Sequence, residues 1–95
     1  MKVRFYRDSR TGVPHIHGHG VDESEVEDVL SKPDEDRLGE EGARIALGQT
    51  GAGRYLRVIY VPGPEPDGVF VITAYTLEGK ALTAFKRRRR KKRRP

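Results

Sequence analysis

Cysteine is missing from the 95-residue sequence, which excludes disulfide bridges, thiolate metal sites and a cysteine nucleophile. Long apolar runs are missing too, since no stretch approaches the roughly 18 residues that a membrane-spanning helix needs. The first residues, MKVRFYRDSR, lack the apolar centre of a secretory signal. These absences predict a cytoplasmic protein that has no membrane partner. A length of 95 residues predicts that the chain folds as one small domain.

Acidic residues are absent from the end of the chain, where the run KRRRRKKRR occupies residues 86–94. This run supplies nine of the 19 basic residues and none of the 14 acidic ones, so residues 1–85 carry a net charge of −4. Because like charges repel and form no apolar core, we predict a folded domain over 1–85 and a disordered polybasic tail over 86–95. Such a tail is typical of proteins that bind RNA phosphates, and a solubilising terminus has the same pattern. The predicted RNA-binding cations of the tail are Lys86, Arg87, Arg88, Arg89, Arg90, Lys91, Lys92, Arg93 and Arg94.

One helix is predicted after the histidine-rich stretch HIHGHG. Asp22 and Glu25 have the spacing of a capping box, in which each side chain accepts a hydrogen bond from the other residue's backbone N–H. Val26, Val29 and Leu30 follow at the i, i+3 and i+4 positions of an apolar helical stripe. This segment is the clearest local structural signal in the chain.

Four segments have the composition of strands: KVRFY (2–6), ARIALG (43–48), RYLRVIYV (54–61) and VFVITAYT (69–76). Short connectors make the last three an antiparallel meander. Residues 34–42 are predicted as a loop, and residues 80–85 fit either a further strand or a helical turn. The order of strand, helix and meander predicts an α+β fold, with a small antiparallel sheet and one or two helices packed on one face.

The alternation of side chains divides the predicted sheet into an apolar and a polar face. In the last strand, the apolar face is predicted to hold Phe70, Ile72 and Ala74. The polar face then gathers two arginines, two tyrosines and a threonine: Arg44, Arg57, Tyr55, Tyr75 and Thr73. Guanidinium groups bind phosphate through paired hydrogen bonds and tyrosine stacks on unpaired bases, so this face suits single-stranded RNA. Ion pairing with acidic neighbours on a solvated face explains the same pattern.

Three histidines at alternating positions, His15, His17 and His19, precede the helix. Imidazole binds zinc and nickel, but the spacing matches no known zinc motif, and we predict no metal site. Two interpretations are left for His19: a structural ring hydrogen-bonded to backbone near the helix start, or a group that contacts or cleaves RNA. The second rests on the titration of imidazole near neutral pH.

The segments HGHGVDESEVEDVL, ARIALGQT, GRYLRVIYV and VFVITAY together resemble the BrnT-like group of small toxins in the RelE-like superfamily. The likeness covers about residues 1–85. It implies a compact sheet-plus-helix ribonuclease fold and the toxin of a type II toxin–antitoxin pair, neutralised by a small DNA-binding antitoxin. His19 and Gly20 match the histidine-glycine pair before the helix in that group. Arg44 matches the strand-leading arginine, and Arg54 matches the glycine-arginine of the hairpin.

The function that follows is toxin-like RNA cleavage without metal or cofactor, in which the neighbouring 2′-hydroxyl attacks the phosphate. This reaction needs a base, an acid and cations that stabilise the extra charge on phosphorus. His19 is expected as acid or base, and Arg44 together with Arg54 or Arg57 as the cations. Tyr75, which stands where BrnT-like sequences usually have arginine, is expected to donate a proton or stack on a base. The alternative is a non-catalytic nucleic-acid-binding or interaction module with the same fold. Either way, the basic tail would bring the protein to ribosomal or messenger RNA.

Overall fold

A computed structural model describes residues 1–93 of the chain. Five strands form one sheet: β1 (Lys2–Phe5), β2 (Glu35–Leu38), β3 (Arg44–Gln49), β4 (Tyr55–Pro62) and β5 (Gly68–Thr76). Two α-helices pack on this sheet: α1 (Glu23–Ser31) and α2 (Gly79–Arg93). Short 3₁₀ helices span His15–His19 and Glu40–Gly42. The predicted α+β class is confirmed.

The sheet is mixed, with the strand order β1-β5-β4-β3-β2. Strands β2 to β5 form an antiparallel meander, whereas β1 pairs with β5 in parallel. The prediction of a wholly antiparallel sheet is therefore wrong for β1. The chain leaves β1, passes through α1 and enters β2 at the opposite edge of the sheet, and three reversals of direction then leave β5 parallel to β1.

Strand β2 lies inside the segment that the sequence predicts as a loop. It pairs antiparallel with β3, in a register that places Asp36 opposite Ala46 and Leu38 opposite Arg44. Its sequence, EDRL, lacks the apolar alternation of a buried strand because an edge strand leaves most side chains in water. Leu38, for example, is 72% exposed. Pairing with β3, rather than a local pattern, makes this segment a strand.

Helix α1 covers one face of the sheet, and its start has the predicted capping box. The Asp22 carboxylate accepts from the Glu25 backbone N–H at 2.9 Å, and the Glu25 carboxylate accepts from the Asp22 N–H at 3.1 Å. The hydrogen bond that the Asp22 carboxylate accepts from the Glu25 backbone N–H lowers the pKa of Asp22. The core beneath α1 consists of Ile16, Val21, Val26, Val29, Ala46, Leu56, Val58, Tyr60, Val71 and Ala74.

Helix α2 covers part of the opposite face, where Leu47, Leu77 and Phe85 form a second buried cluster. Ile45, Tyr55 and Leu82 pack against this cluster. The ambiguous segment 80–85 is therefore helical, and the two helices lie on opposite faces instead of sharing the predicted one. Ala46 and Leu47 are neighbours on β3, so they point to different faces, and each contributes to a different core.

Residues 86–93, which the sequence predicts as part of a disordered tail, are helical, because α2 continues through the basic run to Arg93. Acidic and polar groups near β2 and β3 hold its cations. Arg88 donates to the Glu35 carboxylate at 2.7 and 3.0 Å, and the Lys92 ammonium donates to the Asp34 carbonyl at 2.8 Å. These partners are distant in sequence, which is why the charge pattern alone predicts disorder; Arg94 lies outside the described residues. Within residues 1–93, no helix is long and apolar enough to cross a membrane.

Candidate nucleic-acid interface

The sheet register separates the five residues predicted to share a polar face. Arg57 lies opposite Tyr75, and Thr73 lies opposite Ile59, all on the face that α2 partly covers. Tyr55, two residues from Arg57, is on the same face. Arg44 instead lies opposite Tyr60, on the α1 face. The prediction grouped Arg44 with the others because it assumed that all apolar residues of β3 face α1, whereas Leu47 packs under α2.

A β-bulge changes the expected faces of β5. Ile59 pairs with Thr73 and Tyr60 pairs with Val71, so Ile72 is an extra residue in the strand. Val71 therefore enters the core under α1 together with Ala74, while Ile72 is 37% exposed. The prediction that Ile72 and Phe70 belong to the apolar face with Ala74 is wrong for this reason.

Arg44 has an acidic and a backbone partner at the β2–β3 edge. Its Nε donates to Asp36 Oδ1 at 3.0 Å, and its Nη2 donates to the Asp36 carbonyl at 3.1 Å. The Tyr60 hydroxyl donates to the other Asp36 oxygen at 2.6 Å. The hydrogen bond with Asp36 raises the pKa of Arg44. Burial is the main cause that raises the pKa of Tyr60, and the hydrogen bond to Asp36 raises it further. Arg44 therefore ties β2 to the sheet.

Arg54 also has partners, and it links α1 to β5. Its Nη1 donates to the Gly20 carbonyl at 2.7 Å and to both Glu25 oxygens at 3.1 Å. Its Nη2 donates to the Thr76 hydroxyl at 2.7 Å. Glu25 thus belongs to the capping box and to an ion pair at once. The geometry gives Arg54 a structural role, and a phosphate could reach it only by displacing these partners.

Arg57 differs from every other strand arginine. Arg4 pairs with Glu65, and Arg37 lies 3.8 Å from Glu35. The half-buried Arg57, by contrast, makes no side-chain hydrogen bond or ion pair within residues 1–93, and its buried Nε has no partner. The buried hydroxyl of Thr73, on the neighbouring strand, is unpaired in the same way. Buried polar groups usually have a partner, so these two unpaired groups mark this part of the face as a candidate binding site.

Tyr75 lies beside Arg57 and contacts His19. The Tyr75 ring is 5.9 Å from the His19 ring, measured between centroids, and Tyr75 is directly opposite Arg57 in the sheet. In the described part of the chain, neither side chain makes a hydrogen bond. His19 is exposed, and the structural interpretation of a ring bonded to backbone does not describe it. We call Arg57, Thr73, Tyr75 and His19 the Arg57 site.

The other two histidines have acidic partners of their own. His15 Nδ1 is 3.1 Å from Asp8 Oδ1, and His17 Nε2 is 2.6 Å from Glu23 Oε1. The hydrogen bond with His17 lowers the pKa of Glu23. Across residues 1–93, no three side chains of the types that bind metals come together. The rings of His15 and His19 contact each other, with centroids 5.2 Å apart, whereas His17 is held by Glu23.

Tyr55 is not open for base stacking, contrary to its predicted role. Its ring packs edge-on against Phe85 at 5.9 Å. The Lys86 ammonium lies 5.0 Å from the centre of the same ring, and the Arg89 guanidinium lies 5.8 Å from it. Tyr55 therefore anchors α2 to the sheet.

The cations of α2 form two groups. Arg88, Arg89 and Lys92 contact groups on β2, β3 or the segment before β2, including the Gln49 amide oxygen at 2.9 Å from Arg89 Nη1. The other exposed cations of the basic run make no hydrogen bond or ion pair within residues 1–93, and we call them the outer cations: Lys86, Arg87, Arg90 and Lys91. The residues of α2 include no acidic side chain, so nothing on the helix itself neutralises the outer cations.

The sequence did not indicate two features of this surface. Tyr6 and His15 continue the ring contacts of the Arg57 site, with centroids 5.9 Å apart, and His15 is 5.2 Å from His19. The i, i+4 spacing of His15 and His19 is compatible with contact between their rings, but only if the segment HIHGH is predicted as helical. Asp34 and Glu35, which hold α2, gave no signal because their partners lie more than 50 residues away.

Comparison with known proteins adds a family to this geometry. A search of curated proteins finds no match, and a search of solved structures finds none either. One family matches over residues 15–76, about two thirds of the chain, and the match includes every residue of the Arg57 site. Strand β1 and helix α2 lie outside the matched range. The chain belongs to the family described as a domain of unknown function, DUF4258.

Proposed function

We propose that the protein binds RNA on the α2 side of its sheet, with Arg57 as the phosphate contact. The observation that carries the proposal is the half-buried Arg57 guanidinium without a partner. A polar group left unpaired away from water costs free energy, and a phosphate oxygen removes that cost by accepting its hydrogen bonds. Guanidinium groups suit phosphate because their N–H groups bind two oxygens at once.

Two further observations support this surface. Thr73 offers a second unpaired donor on the adjacent strand. The outer cations of α2 extend the positive charge on the same side of the sheet, and such charge attracts nucleic acids with little regard to sequence. Binding of this kind requires no catalysis, and it corresponds to a nucleic-acid-binding module. A cytoplasmic location, where RNA is abundant, belongs to the same proposal.

The test measures the affinity of the full chain for a short, labelled single-stranded RNA by fluorescence anisotropy. Arg57→Gln is expected to weaken binding about tenfold or more, since it removes a charge-assisted hydrogen bond. It should also lower the slope of log affinity against log salt by about one. Arg44→Gln is the matched control, because Arg44 lies on the other face and is held by Asp36. An equal loss in both variants would reject the Arg57 site.

A second candidate is the predicted toxin-like ribonuclease, and the contact between His19 and Tyr75 favours it. His19 would take the proton from a 2′-hydroxyl, whose oxygen then bonds to phosphorus. The 5′-oxygen leaves with a proton from Tyr75, and the products are a cyclic phosphate and a 5′-hydroxyl. Arg57 would stabilise the charge on phosphorus in place of Arg44 and Arg54.

Cleavage of RNA in the presence of a chelator tests this second candidate. We expect fragments with the unmodified chain and none with His19→Ala, while both retain binding. Expression in a bacterium, with growth and RNA integrity recorded together, tests the toxin role and its proposed small DNA-binding antitoxin, whose co-expression should restore growth. Intact RNA with the unmodified chain would leave the binding module as the function.

A further inference from the structure

Four aromatic rings form a continuous row from the edge of the sheet to the Arg57 site. Successive centroids are 5.9, 5.2 and 5.9 Å apart. The members of this ring row are Tyr6, His15, His19 and Tyr75. The row crosses three segments, because Tyr6 follows β1, the histidines belong to the 3₁₀ helix and Tyr75 lies near the end of β5.

The rings of the row do not stack on one another. Neighbouring planes are inclined by 58°, 76° and 58°. In tilted contacts the edge of one ring meets the face of its neighbour, so no ring of the row is covered by parallel stacking on another. Tyr6 is 45% exposed and His19 is exposed, so water reaches the row from outside. An exposed set of unstacked rings is a surface on which other flat rings can stack.

The charges around the row select which part of a nucleic acid can lie there. Asp8 pairs with His15, and Glu78 lines the shallow cavity beside His19 and Tyr75. Carboxylates repel phosphate, whereas they do not repel the neutral faces of bases. Cationic groups lie at both ends of the row, because Arg10 shares a cavity with Tyr6 and Asp8, and Arg57 lies opposite Tyr75. The arrangement with complementary charge therefore has bases over the rings and phosphates over the cations at the ends of the row, including Arg57.

We infer that the ring row binds unpaired bases of single-stranded RNA. The inference rests on the proposed function, since Arg57 is taken to hold the adjoining phosphate. Bases in a duplex are already stacked and present no open faces, so the row discriminates against double-stranded RNA. Stacking on aromatic rings depends little on base identity, and the row has no sequence preference of its own.

The experiment compares three ligands of equal length: single-stranded oligoadenylate, an abasic RNA strand with the same phosphates, and an RNA duplex. Because the chain has four tyrosines and no tryptophan, tyrosine emission reports stacking directly. We expect oligoadenylate to quench this emission and to bind at least tenfold more tightly than the abasic strand. The duplex should bind at the level of the abasic strand.

Variants assign the effect to the row. Tyr75→Leu should remove most of the preference for oligoadenylate over the abasic strand, while Tyr75→Phe keeps it because the ring is retained. Ile72→Ala, at an exposed position on the same strand, serves as the control and should keep the preference. Circular dichroism of each variant verifies that the fold is intact. A preference unchanged in Tyr75→Leu would overturn the inference.

The ligands also separate this inference from the proposed function. If oligoadenylate and the abasic strand bind equally, with Arg57→Gln weakening both, the ring row is rejected and the phosphate contact stands. Equal binding of the duplex and oligoadenylate rejects the ring row as well. If no RNA ligand binds the chain, the proposed function fails and the inference fails with it.

Discussion

The face of the sheet under α1 and the face under α2 are formed by the same strands, yet they are closed to different extents. Within residues 1–93, ten buried apolar side chains form the core under α1, and three form the cluster under α2. Helix α1 buries Val26 and Val29 against the sheet, and its cap is complete. Helix α2 crosses only one end of its face, around Tyr55 and Leu47.

The polar groups show the same contrast. Arg44 and Arg54 have acidic partners at or below 3.1 Å. Arg57 and Thr73, on the α2 face, contain buried polar atoms that have no partner in the described part of the chain. A protein of this size has little stability to spare, so unpaired groups that persist on one face indicate a function rather than a structural need. The difference assigns stability chiefly to the α1 face and binding to the α2 face.

The largest effect on stability is expected when the buried ring that holds α2 to the sheet is removed. Phe85→Ala should lower the free energy of unfolding by about 3–5 kcal/mol, because a fully buried aromatic ring leaves a cavity. Val26→Ala under α1 should cost less, roughly 1.5–3 kcal/mol. Urea denaturation followed by circular dichroism measures both. A smaller loss for Phe85→Ala than for Val26→Ala would mean that α2 is not held by its apolar side chains.

The two arginines near the start of β4 test the division between stability and binding. Arg54→Gln should cost about 2 kcal/mol, because it leaves the Glu25 carboxylate and the Gly20 carbonyl without their donor. Arg57→Gln should change the free energy of unfolding by less than about 0.5 kcal/mol, since Arg57 has no partner to lose. Thermal unfolding of both variants under one buffer checks this, and similar losses would contradict the assignment.

The cap of α1 gives a prediction for pH. The folded-state pKa of Asp22 is lowered, so its stabilising contribution is complete above the pKa of the unfolded chain, about 3.9, and is lost as pH falls through the folded-state value. Asp22→Ala should therefore lower the melting temperature at neutral pH, and the gap to the unmodified chain should narrow below about pH 4. A gap that is constant down to strongly acidic pH would show that the carboxylate charge is not involved.

A small, salt-dependent effect is expected at the exposed ion pair between α2 and β2. Hydrogen bonding to Glu35 raises the pKa of Arg88, but the pair lies at the surface. Arg88→Gln should therefore cost at most about 1 kcal/mol, and less at high salt because the charges are screened. Unfolding curves at low and high salt measure the difference. A large cost that does not depend on salt would contradict a surface ion pair.

Local patterns predicted much of the fold. The capping box at Asp22 and the alternation in β4 depend on neighbours within a few residues, and both are confirmed. Strand β2 and the folded part of the basic run were missed, because their partners lie far along the chain. Of the predicted site residues, Arg57, Thr73, Tyr75 and His19 come together, whereas Arg44 and Arg54 are held elsewhere.

Composition and short-range spacing are enough to predict the α+β class, the position of α1 and the strong positive charge of the C-terminal segment. The face that each arginine occupies depends on contacts between distant segments. A single bulge at Ile72 and the docking of Leu47 under α2 reassign side chains between faces, and neither has a local signature. Partners of a charged side chain are set by contacts between distant segments, so whether an arginine is paired or open to a ligand is a property of the fold.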